Sequence, residues 1–324
     1  MEERVSRYIA RRLLFAALLV AVSSSAALVL TRLAPGDFAS GLIGTSGGFE
    51  AVARERERLG LDRPIAVQYV EWLRGAVRLD LGTSLLYRRP VTELLGQRLA
   101  NTAILAVAAL LLATLAGLPA GVFTGSRQRG VLPGVVRLLS LVFLSLPPLV
   151  TSLVLVLLAA RTGWFPLGGM QSSSSEIGGA LSWLTDLGHH LVLPALALAL
   201  PLAATLERLQ SQAMADAVSQ PFTLAALARG VPRSRVVWRH ALRASLTPVV
   251  SVYGYVIGGL LSGSLIVEVV TAWPGLGRLM YEAIRARDLY LVAGCAAAGS
   301  LFLAAGSLAS DLALAWTDPR VGRA

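Results

Sequence analysis

The sequence predicts an all-α integral membrane protein with six transmembrane helices. Of its 324 residues, 55% are hydrophobic and only 15% are charged, and the mean hydropathy is +0.66. The apolar residues also gather in six long runs. A hydrocarbon layer about 30 Å thick is crossed by about 20 helical residues, and each run reaches that length. Soluble domains rarely combine these three properties.

The predicted spans are separated by polar segments. In chain order they are Leu13–Leu33, Leu99–Thr124, Leu138–Ala160, Leu187–Leu206, Ala244–Val267 and Leu289–Trp316. The first five have uncharged centres, and a charge there would cost roughly 2.5–3.5 kcal/mol on insertion scales. The first run is interpreted as a retained helix and not as a cleaved signal peptide, because it continues to Arg32 without a clear small-residue cleavage site.

The placement of arginine sets the expected orientation. Arginines gather before the first span and after the second, fourth and sixth spans. Basic residues accumulate in cytoplasmic loops, so the sequence predicts that both termini are cytoplasmic. The net charge of +10 fits this topology better than nucleic-acid binding, because the arginines lie between apolar runs.

The segment Ala34–Arg98 is then expected outside the membrane. Within it, "FEAVARERERLG" predicts a helix that ends at Gly60. Pro64 is placed to open a second, amphipathic helix. We expect Tyr69, Trp72 and Leu73 of that helix to lie against the membrane surface or the helix bundle.

Composition excludes several kinds of chemistry. The 29 lysine and arginine residues are all arginine, and without lysine the chain forms neither an ordinary P-loop nor a Schiff base. Cys295 is the single cysteine and lies in an apolar run, so we expect a small buried residue and no internal disulfide. His189 and His190 are neighbours on a helix and point about 100° apart, which favours an interfacial polar pair over a shared metal site.

One motif points to a different class of function, an intramembrane serine hydrolase. "GTSGG" fits the G-x-S-x-G pattern, with Ser46 as nucleophile, His189 or His190 as base and Asp186 as the orienting carboxylate. A nucleophile elbow needs a strand before the serine and a helix after it. Ser46 has neither and lies outside the spans, so a glycine–serine turn is the favoured interpretation and the hydrolase is the alternative.

Prolines and small residues mark the later spans. Prolines at 147, 148, 194 and 201 predict bent helices, either beside a pathway or for shape alone. Gly254, Gly258 and Ser262 recur every four residues and, with Gly259 and Gly263 one step round the helix, form a smooth stripe for helix packing. The stripe predicts a seam between subunits or a contact within the chain. Glu268 ends the fifth span, either as an interfacial residue or at the mouth of a pathway.

The stretch "ALARGVPRSRVVWRHALRASLTPVV", residues 226–250, is rich in arginine although its surroundings are apolar. Gly230 is placed to end one short helix and Pro232 to begin another. The second helix carries a basic stripe of Arg235, Arg239 and Arg243. The opposite face carries Val237, Ala241, Ala244 and Pro248. The small residues before the break let another protein approach closely, so we interpret the stretch as a docking element for a cytoplasmic partner.

Five motifs occur in a specific order. They are "RLAPGDFA", "DLGTS", "MADAVSQPFTLAALARGVPRSRVVWRHALRASLTPVV", "LIVEVVTAWPGLGRL" and "SDLALAWTDPRVG". Together they resemble the ABC importer permeases of the dipeptide/oligopeptide/nickel family, in the subunit similar to the dipeptide permease B protein. The third motif resembles the EAA loop of that family. It departs from the family pattern at Pro221, Leu224 and Leu227.

The resemblance implies a type I ABC importer fold, similar to MetI, in the bacterial cytoplasmic (inner) membrane. This chain and a second, related permease would form the pathway, and two ATP-binding subunits would bind ATP and Mg, so that this chain is no enzyme and holds no cofactor. An external substrate-binding protein would deliver the cargo. Di- and oligopeptides are the expected substrates, with nickel chelates, glutathione or another small solute as the alternative.

The resemblance also assigns residues and boundaries. The ATPase-coupling loop would include Ala225, Ala226, Ala228, Arg229, Gly230, Pro232 and Arg233. The translocation pathway or its mouth would include Glu268, Trp273, Pro274 and Gly275. The N-terminal tail and first helix would occupy residues 1–33, the external segment 34–97, the permease core 98–316 with its coupling loop at 207–243, and the C-terminal tail 317–324.

Overall fold

The computed structural model describes residues 2–43, 49–172 and 179–317. Within these ranges the chain forms helices joined by short turns, with one isolated bridge between Thr83 and Pro90. The helices are α1 (Glu2–Leu33), α2 (Phe38–Ile43), α3 (Phe49–Arg58), α4 (Ile65–Val77), α5 (Val91–Ser126), α6 (Val131–Ser145), α7 (Pro148–Thr162), α8 (Gly179–Val218), α9 (Pro221–Ala228), α10 (Arg233–Arg235), a π-helix (Val236–Ala241), α11 (Leu242–Val250), α12 (Tyr253–Val270), α13 (Leu276–Ala286) and α14 (Leu289–Thr317).

Four of the described helices are long and apolar enough to cross a membrane. The qualifying segments are Ala10–Leu33, Val91–Ser126, Gly179–Val218 and Leu289–Asp311. They carry the predicted first, second, fourth and sixth spans. α8 remains one helix through both of its prolines.

The predicted third span consists of two helices. α6 and α7 reach the length of a span only together, and they are bent by 105°. Pro147 disfavours helical geometry at the residue before it, and Leu146 has φ −87° and ψ 116°. Pro148 then occupies the first turn of α7. The bend predicted at these prolines is confirmed, and it divides the run.

The predicted fifth span, Ala244–Val267, is also divided. Ser251 Oγ donates a 2.7 Å hydrogen bond to the carbonyl of Pro248. The N–H of Val252 donates to the carbonyl of Val249, at 3.1 Å, and not to the carbonyl of Pro248 as in an α-helix. A local side-chain bond therefore competes with the helical ladder between α11 and α12. α12 is a shorter apolar helix than the sequence predicts.

The chain divides into two compact units. The first comprises residues 1–102 and 274–304, and the second comprises residues 103–273 and 305–324. The segment predicted to be external folds within the first unit, together with α1.

In the first unit, α4 packs on α1 and α14. Trp72 is buried against Leu28 and Leu289, and Tyr69 Oη lies 2.7 Å from Ser25 Oγ. Burial of the large Trp72 side chain favours this docking. Trp72 and Tyr69 lie against the helix bundle, as predicted, whereas Leu73 is 39% exposed.

Hydrogen bonds to Asp288 connect the loop after α4 to the start of α14. Its carboxylate accepts a 2.7 Å hydrogen bond from Ser84 Oγ and caps α14 by accepting the N–H of Leu291 at 3.2 Å. Asp288 is fully buried, and a buried carboxylate needs such donors. In the same loop, Tyr87 Oη donates to Glu282 Oε2 at 2.5 Å. Burial and this bond to a carboxylate raise the pKa of Tyr87 to about 12.

The turn after α1 depends on Gly36 and Asp37. Gly36 has φ +83°, and a side chain there would overlap the guanidinium of Arg287. Asp37 accepts the N–H of Ser40 at 2.9 Å and donates its own N–H to Ser40 Oγ at 2.8 Å, while Arg56 Nε donates to its carboxylate at 2.5 Å. Burial opposes ionisation of Asp37, but the hydrogen bonds from Ser40 and Arg56 outweigh it and lower its pKa.

In the second unit, glycines let α5 and α8 approach closely. Gly117, Gly121 and Gly125 recur every four residues on α5. A Cβ at Gly117 would lie 2.6 Å from the carbonyl oxygen of Ala203, and one at Gly121 would lie 2.6 Å from that of Glu207. A larger residue therefore has no room at these positions. The sequence predictions did not include this stripe. Its residues recur every four positions, as do those of the predicted stripe on the fifth span.

Candidate functional site

The arginine-rich stretch folds onto the end of α8. Gln220 precedes α9, and Pro221 occupies its first turn. Thr223 is fully buried. Its hydroxyl lies 2.6 Å from the carbonyl oxygen of Gln220 and 2.8 Å from that of Val218. α9 is therefore held against the last turn of α8 by a side chain of its own.

α9 ends at the predicted glycine. Gly230 has φ +80°. Its N–H donates to the carbonyl of Leu227 at 2.9 Å, and the N–H of Val231 donates to that of Ala226 at 3.1 Å, which is the Schellman pattern. A Cβ at Gly230 would meet no atom within 4 Å, so the glycine serves the left-handed backbone conformation and not close contact. Pro232 is predicted in the first turn of the next helix. It lies instead at the residue immediately before α10.

The helix after this turn differs from the predicted one. The N–H of Leu242 donates to the carbonyl of Val237, five residues back, and closes a π-helical segment. The wider turn rotates the face that follows. Ala244 and Pro248, predicted on the face opposite the basic stripe together with Val237 and Ala241, are exposed. The buried residues are Val236, Val237, Ala241, Ser245 and Val249. The face that an unbroken 3.6-residue period groups together is therefore not the face that is buried.

The basic stripe keeps its predicted character. Arg235, Arg239 and Arg243 are all exposed. Their helix nevertheless has a well-packed inner side. The apolar cluster beneath it consists of Val122 from α5, Met214 and Ala217 from α8, and Val237 and Ala241 from the π-helix. Arg233 Nη2 also donates a 3.0 Å hydrogen bond to the carbonyl of Ser126 at the end of α5.

Two buried hydrogen bonds tie α8 to its neighbours. Thr124 Oγ1 on α5 donates to Glu207 Oε1 at 2.5 Å. Gln210 Nε2 donates to Ser245 Oγ on α11 at 2.8 Å. Glu207 is 3% exposed and Gln210 is fully buried. Polar side chains inside membrane helices commonly form hydrogen bonds to a neighbouring helix. The sequence predictions did not include either of these two bonds.

The outer face of α9 is apolar. Phe222, Leu224 and Leu227 are 45%, 54% and 37% exposed. All but one of the predicted coupling residues are exposed as well, namely Ala225, Ala228, Arg229, Gly230, Pro232 and Arg233. Ala226 is buried instead, so its small side chain serves packing within the chain. Both exposed leucines, Leu224 and Leu227, are departures from the family pattern.

The predicted pathway residues divide between the two units. Glu268 and Trp273 belong to the second unit, and neither has exposed surface in this chain. Trp273 packs in the largest apolar cluster of that unit. Pro274 and Gly275 belong to the first unit, where Asn101 Nδ2 donates to the carbonyl of Pro274 at 2.8 Å and Gly275 precedes α13. Their role in a pathway stays a prediction.

The small-residue stripe of α12 lies close to other helices of the second unit. A Cβ at Gly254 would lie 3.3 Å from Ser310 Oγ on α14, and one at Gly263 would lie 3.4 Å from α8. Gly258 and Ser262 lie on the same helix, with the side chain of Ser262 outside the described part of the chain. The contact at Gly254 is therefore within the chain.

The residues of the hydrolase alternative are only partly described. Ser46 lies outside the described residues. His190 Nδ1 lies 3.4 Å from the carboxylate of Asp186 and 2.9 Å from its carbonyl oxygen. His189 Nε2 lies 2.8 Å from the carbonyl oxygen of Trp164. Each histidine therefore has its own local partner.

Comparison with known proteins identifies the family. The model of the binding-protein-dependent transport system inner membrane component matches residues 117–323, and the model of the N-terminal part of such membrane components matches residues 5–106. The oligopeptide transport system permease protein AppB of Bacillus subtilis (strain 168) is 32% identical over 321 residues, which is 98% of this chain and 99% of the relative.

Two further relatives agree. The oligopeptide transport system permease protein OppB of Mycobacterium bovis is 36% identical over 325 residues, covering 98% of this chain and 99% of the relative. A putative peptide permease protein of Brucella suis biovar 1 is 32% identical over 319 residues, covering 97% and 98%. These are transport components and not enzymes, so the hydrolase alternative with Ser46 and His190 is set aside. The all-α permease fold is confirmed, and the chain belongs to the family of binding-protein-dependent transport system inner membrane components.

Proposed function

We propose that this chain is the permease subunit of an ATP-driven importer and forms half of the pathway for di- and oligopeptides. The printed names of the relatives support the substrate class. The observation that carries the coupling role is the anchored, exposed helix α9. Its inner side is fixed to α8 through Thr223, while Leu224 and Leu227 remain open to a partner.

The geometry of this segment supports a mechanical role. Two ATP-binding subunits would bind ATP and Mg and close on each other, and α9 would sit in a groove on one of them. Thr223 joins α9 to α8 through the carbonyl of Val218, and Arg233 joins the following turn to α5 through the carbonyl of Ser126. A push on α9 would therefore reach both long helices directly. The leucines at 224 and 227 make the proposed contact more apolar than the family pattern implies.

The proposed assembly contains further partners. A second, related permease subunit would complete the pathway, and an external substrate-binding protein would deliver the peptide. The arginine distribution supports a bacterial cytoplasmic membrane location with cytoplasmic termini. The proposed permease core spans residues 98–316, and Glu268, Trp273, Pro274 and Gly275 are proposed near its outer mouth.

Reconstitution tests this proposal. The purified transporter is placed in lipid vesicles and its ATP hydrolysis is measured with binding protein that is empty or loaded with a peptide, a nickel chelate or glutathione. We expect the peptide-loaded protein to stimulate hydrolysis and to drive uptake of labelled peptide. Stimulation by the nickel chelate or glutathione alone would transfer the assignment to that alternative substrate.

A further inference from the structure

The second unit contains a cavity of about 470 Å³ between α5, α6 and α8. Its volume falls within the range of about 300–1,000 Å³ that is usual for small-molecule sites. Its polar lining includes Gln128, Arg137, Ser140, Glu207, Arg208 and Ser211. The cavity thus combines one carboxylate, two guanidinium groups and two hydroxyl groups.

The lining changes character along α6. Arg137, Ser140, Leu141 and Leu144 all line the cavity and recur at the spacing of one helical face. One end of that face is charged and the other is apolar, and Leu141 is 53% exposed. The occupant that fits is amphipathic, with a polar head beside Arg137 and an apolar part along the leucines.

The level of the cavity along α5 agrees with this. The apolar run of α5 ends at Thr124. Gly125 and Gln128, just after it, line the cavity, and Arg127 and Arg129 flank Gln128 in the sequence. The charged lining therefore lies where the apolar run gives way to the arginine-rich loop. In a membrane protein this is the level of the lipid headgroups.

The charges in the cavity favour a headgroup with both signs. Arg137 is held in place because its Nη2 donates to the carbonyl of Thr124 at 2.6 Å and its Nη1 donates to that of Gln128 at 3.2 Å. Arg208 is exposed, and Glu207 presents a carboxylate whose Oε1 already accepts from Thr124. Guanidinium groups bind phosphate, and a carboxylate accepts hydrogen bonds from a primary ammonium group.

We propose that this cavity binds a phospholipid whose headgroup carries a phosphate and a primary ammonium group, such as phosphatidylethanolamine. Arg137 and Arg208 bind the phosphate, Glu207 accepts from the ammonium group, and the acyl chain runs along Leu141 and Leu144. A trimethylated headgroup has no N–H to donate to Glu207, so phosphatidylcholine binds more weakly. The site is separate from the outer face of α9.

The test uses the full transporter in nanodiscs with equal amounts of phosphatidylethanolamine, phosphatidylcholine and phosphatidylglycerol. Mass spectrometry after delipidation measures which lipid is retained. We expect phosphatidylethanolamine, and we expect Glu207→Gln and Arg208→Ala each to reduce its retention by at least about tenfold, the order set by a hydrogen bond to a charged group. Arg129→Ala, an exposed arginine outside the lining, leaves retention unchanged.

Three results would overturn the proposal. They are equal retention of phosphatidylcholine, unchanged retention in both variants, and displacement of the bound lipid by free zwitterionic peptide. Glu207→Gln keeps an oxygen for Thr124, but if it fails to assemble, Arg208→Ala decides alone because Arg208 is exposed. Size-exclusion profiles confirm assembly of each variant.

Discussion

Thr124 on α5 donates a 2.5 Å hydrogen bond to the carboxylate of Glu207 on α8, although the two residues are 83 positions apart in the chain. Both are buried. The bond lies beside the close contact at Gly121, where a Cβ would meet the carbonyl oxygen of Glu207 itself. α5 and α8 are thus joined by backbone contact and by a side-chain bond, so we expect them to move as a pair.

Thr124→Val should destabilise this pair. The substitution removes the donor to a buried carboxylate, which costs about 1–3 kcal/mol in the free energy of unfolding. Thr205→Val is the matched control, because the hydroxyl of Thr205 bonds only within its own helix, to the carbonyl of Pro201 at 2.9 Å. Denaturant unfolding in detergent measures both variants. Equal losses in the two would show that the bond to Glu207 contributes nothing specific.

Gly121→Ala should separate α5 from α8. The added Cβ would lie 2.6 Å from the carbonyl oxygen of Glu207, and overpacking of this kind costs about 1–3 kcal/mol. Gly134→Ala adds the same atom on α6, where nothing lies within 4 Å, and it raises helix propensity. We expect a lower Tm for the first variant and an unchanged or higher Tm for the second. A Tm for Gly121→Ala equal to that of the unaltered protein contradicts the close contact.

Gly230→Ala should uncouple ATP hydrolysis from uptake. For a residue with a Cβ, the left-handed backbone conformation at Gly230 costs about 1–2 kcal/mol. We therefore expect the substitution to deform the end of α9. Gly163→Ala is the control, since Gly163 ends α7 with φ +69° and is equally open. We expect slower peptide uptake per ATP only in the first variant. Normal uptake by an assembled Gly230→Ala transporter contradicts the coupling role of this turn.

Leu224→Asp should release the ATP-binding subunits. Leu224 is 54% exposed on α9, and a charge there would be buried in the proposed contact at high cost. Leu79→Asp alters a leucine that is 82% exposed in the first unit, and we expect it to leave the assembly intact. Co-purification of the ATP-binding subunits distinguishes the two variants. Full recovery with Leu224→Asp means that α9 docks by another face.

The turn at Asp37 should weaken in acid. The lowered pKa of Asp37 means that its contribution is complete above the ordinary carboxyl value of 3.8 and is lost as the pH falls through the lowered folded value. Hydrogen exchange of the Ser40 amide, which Asp37 holds, should therefore accelerate in acid beyond its intrinsic rate. Asp37→Asn should abolish this pH dependence. The same acceleration in both proteins would place its origin elsewhere.

Local rules of composition and backbone geometry made much of this protein predictable. Four long apolar helices follow from run length, because a bilayer demands about 20 apolar residues per span. The bend at Pro147 follows from steric restriction of the residue before a proline. The end of α9 at Gly230 follows from the left-handed conformation that a helix terminus needs. Each depends on a few neighbouring residues and on nothing distant.

The tertiary structure decided the rest. The π-turn over Val236–Ala241 changed which side of α11 is buried, because the apolar cluster with α5 and α8 sets that register. Ala226 on α9 is buried as well, although the sequence predicted a docking role for it. The Thr124–Glu207 bond and the cavity beside it join residues from helices far apart in the chain. Such contacts depend on how helices are placed side by side, which no local period specifies, so the sequence by itself determined the helices and only their packing determined the sites.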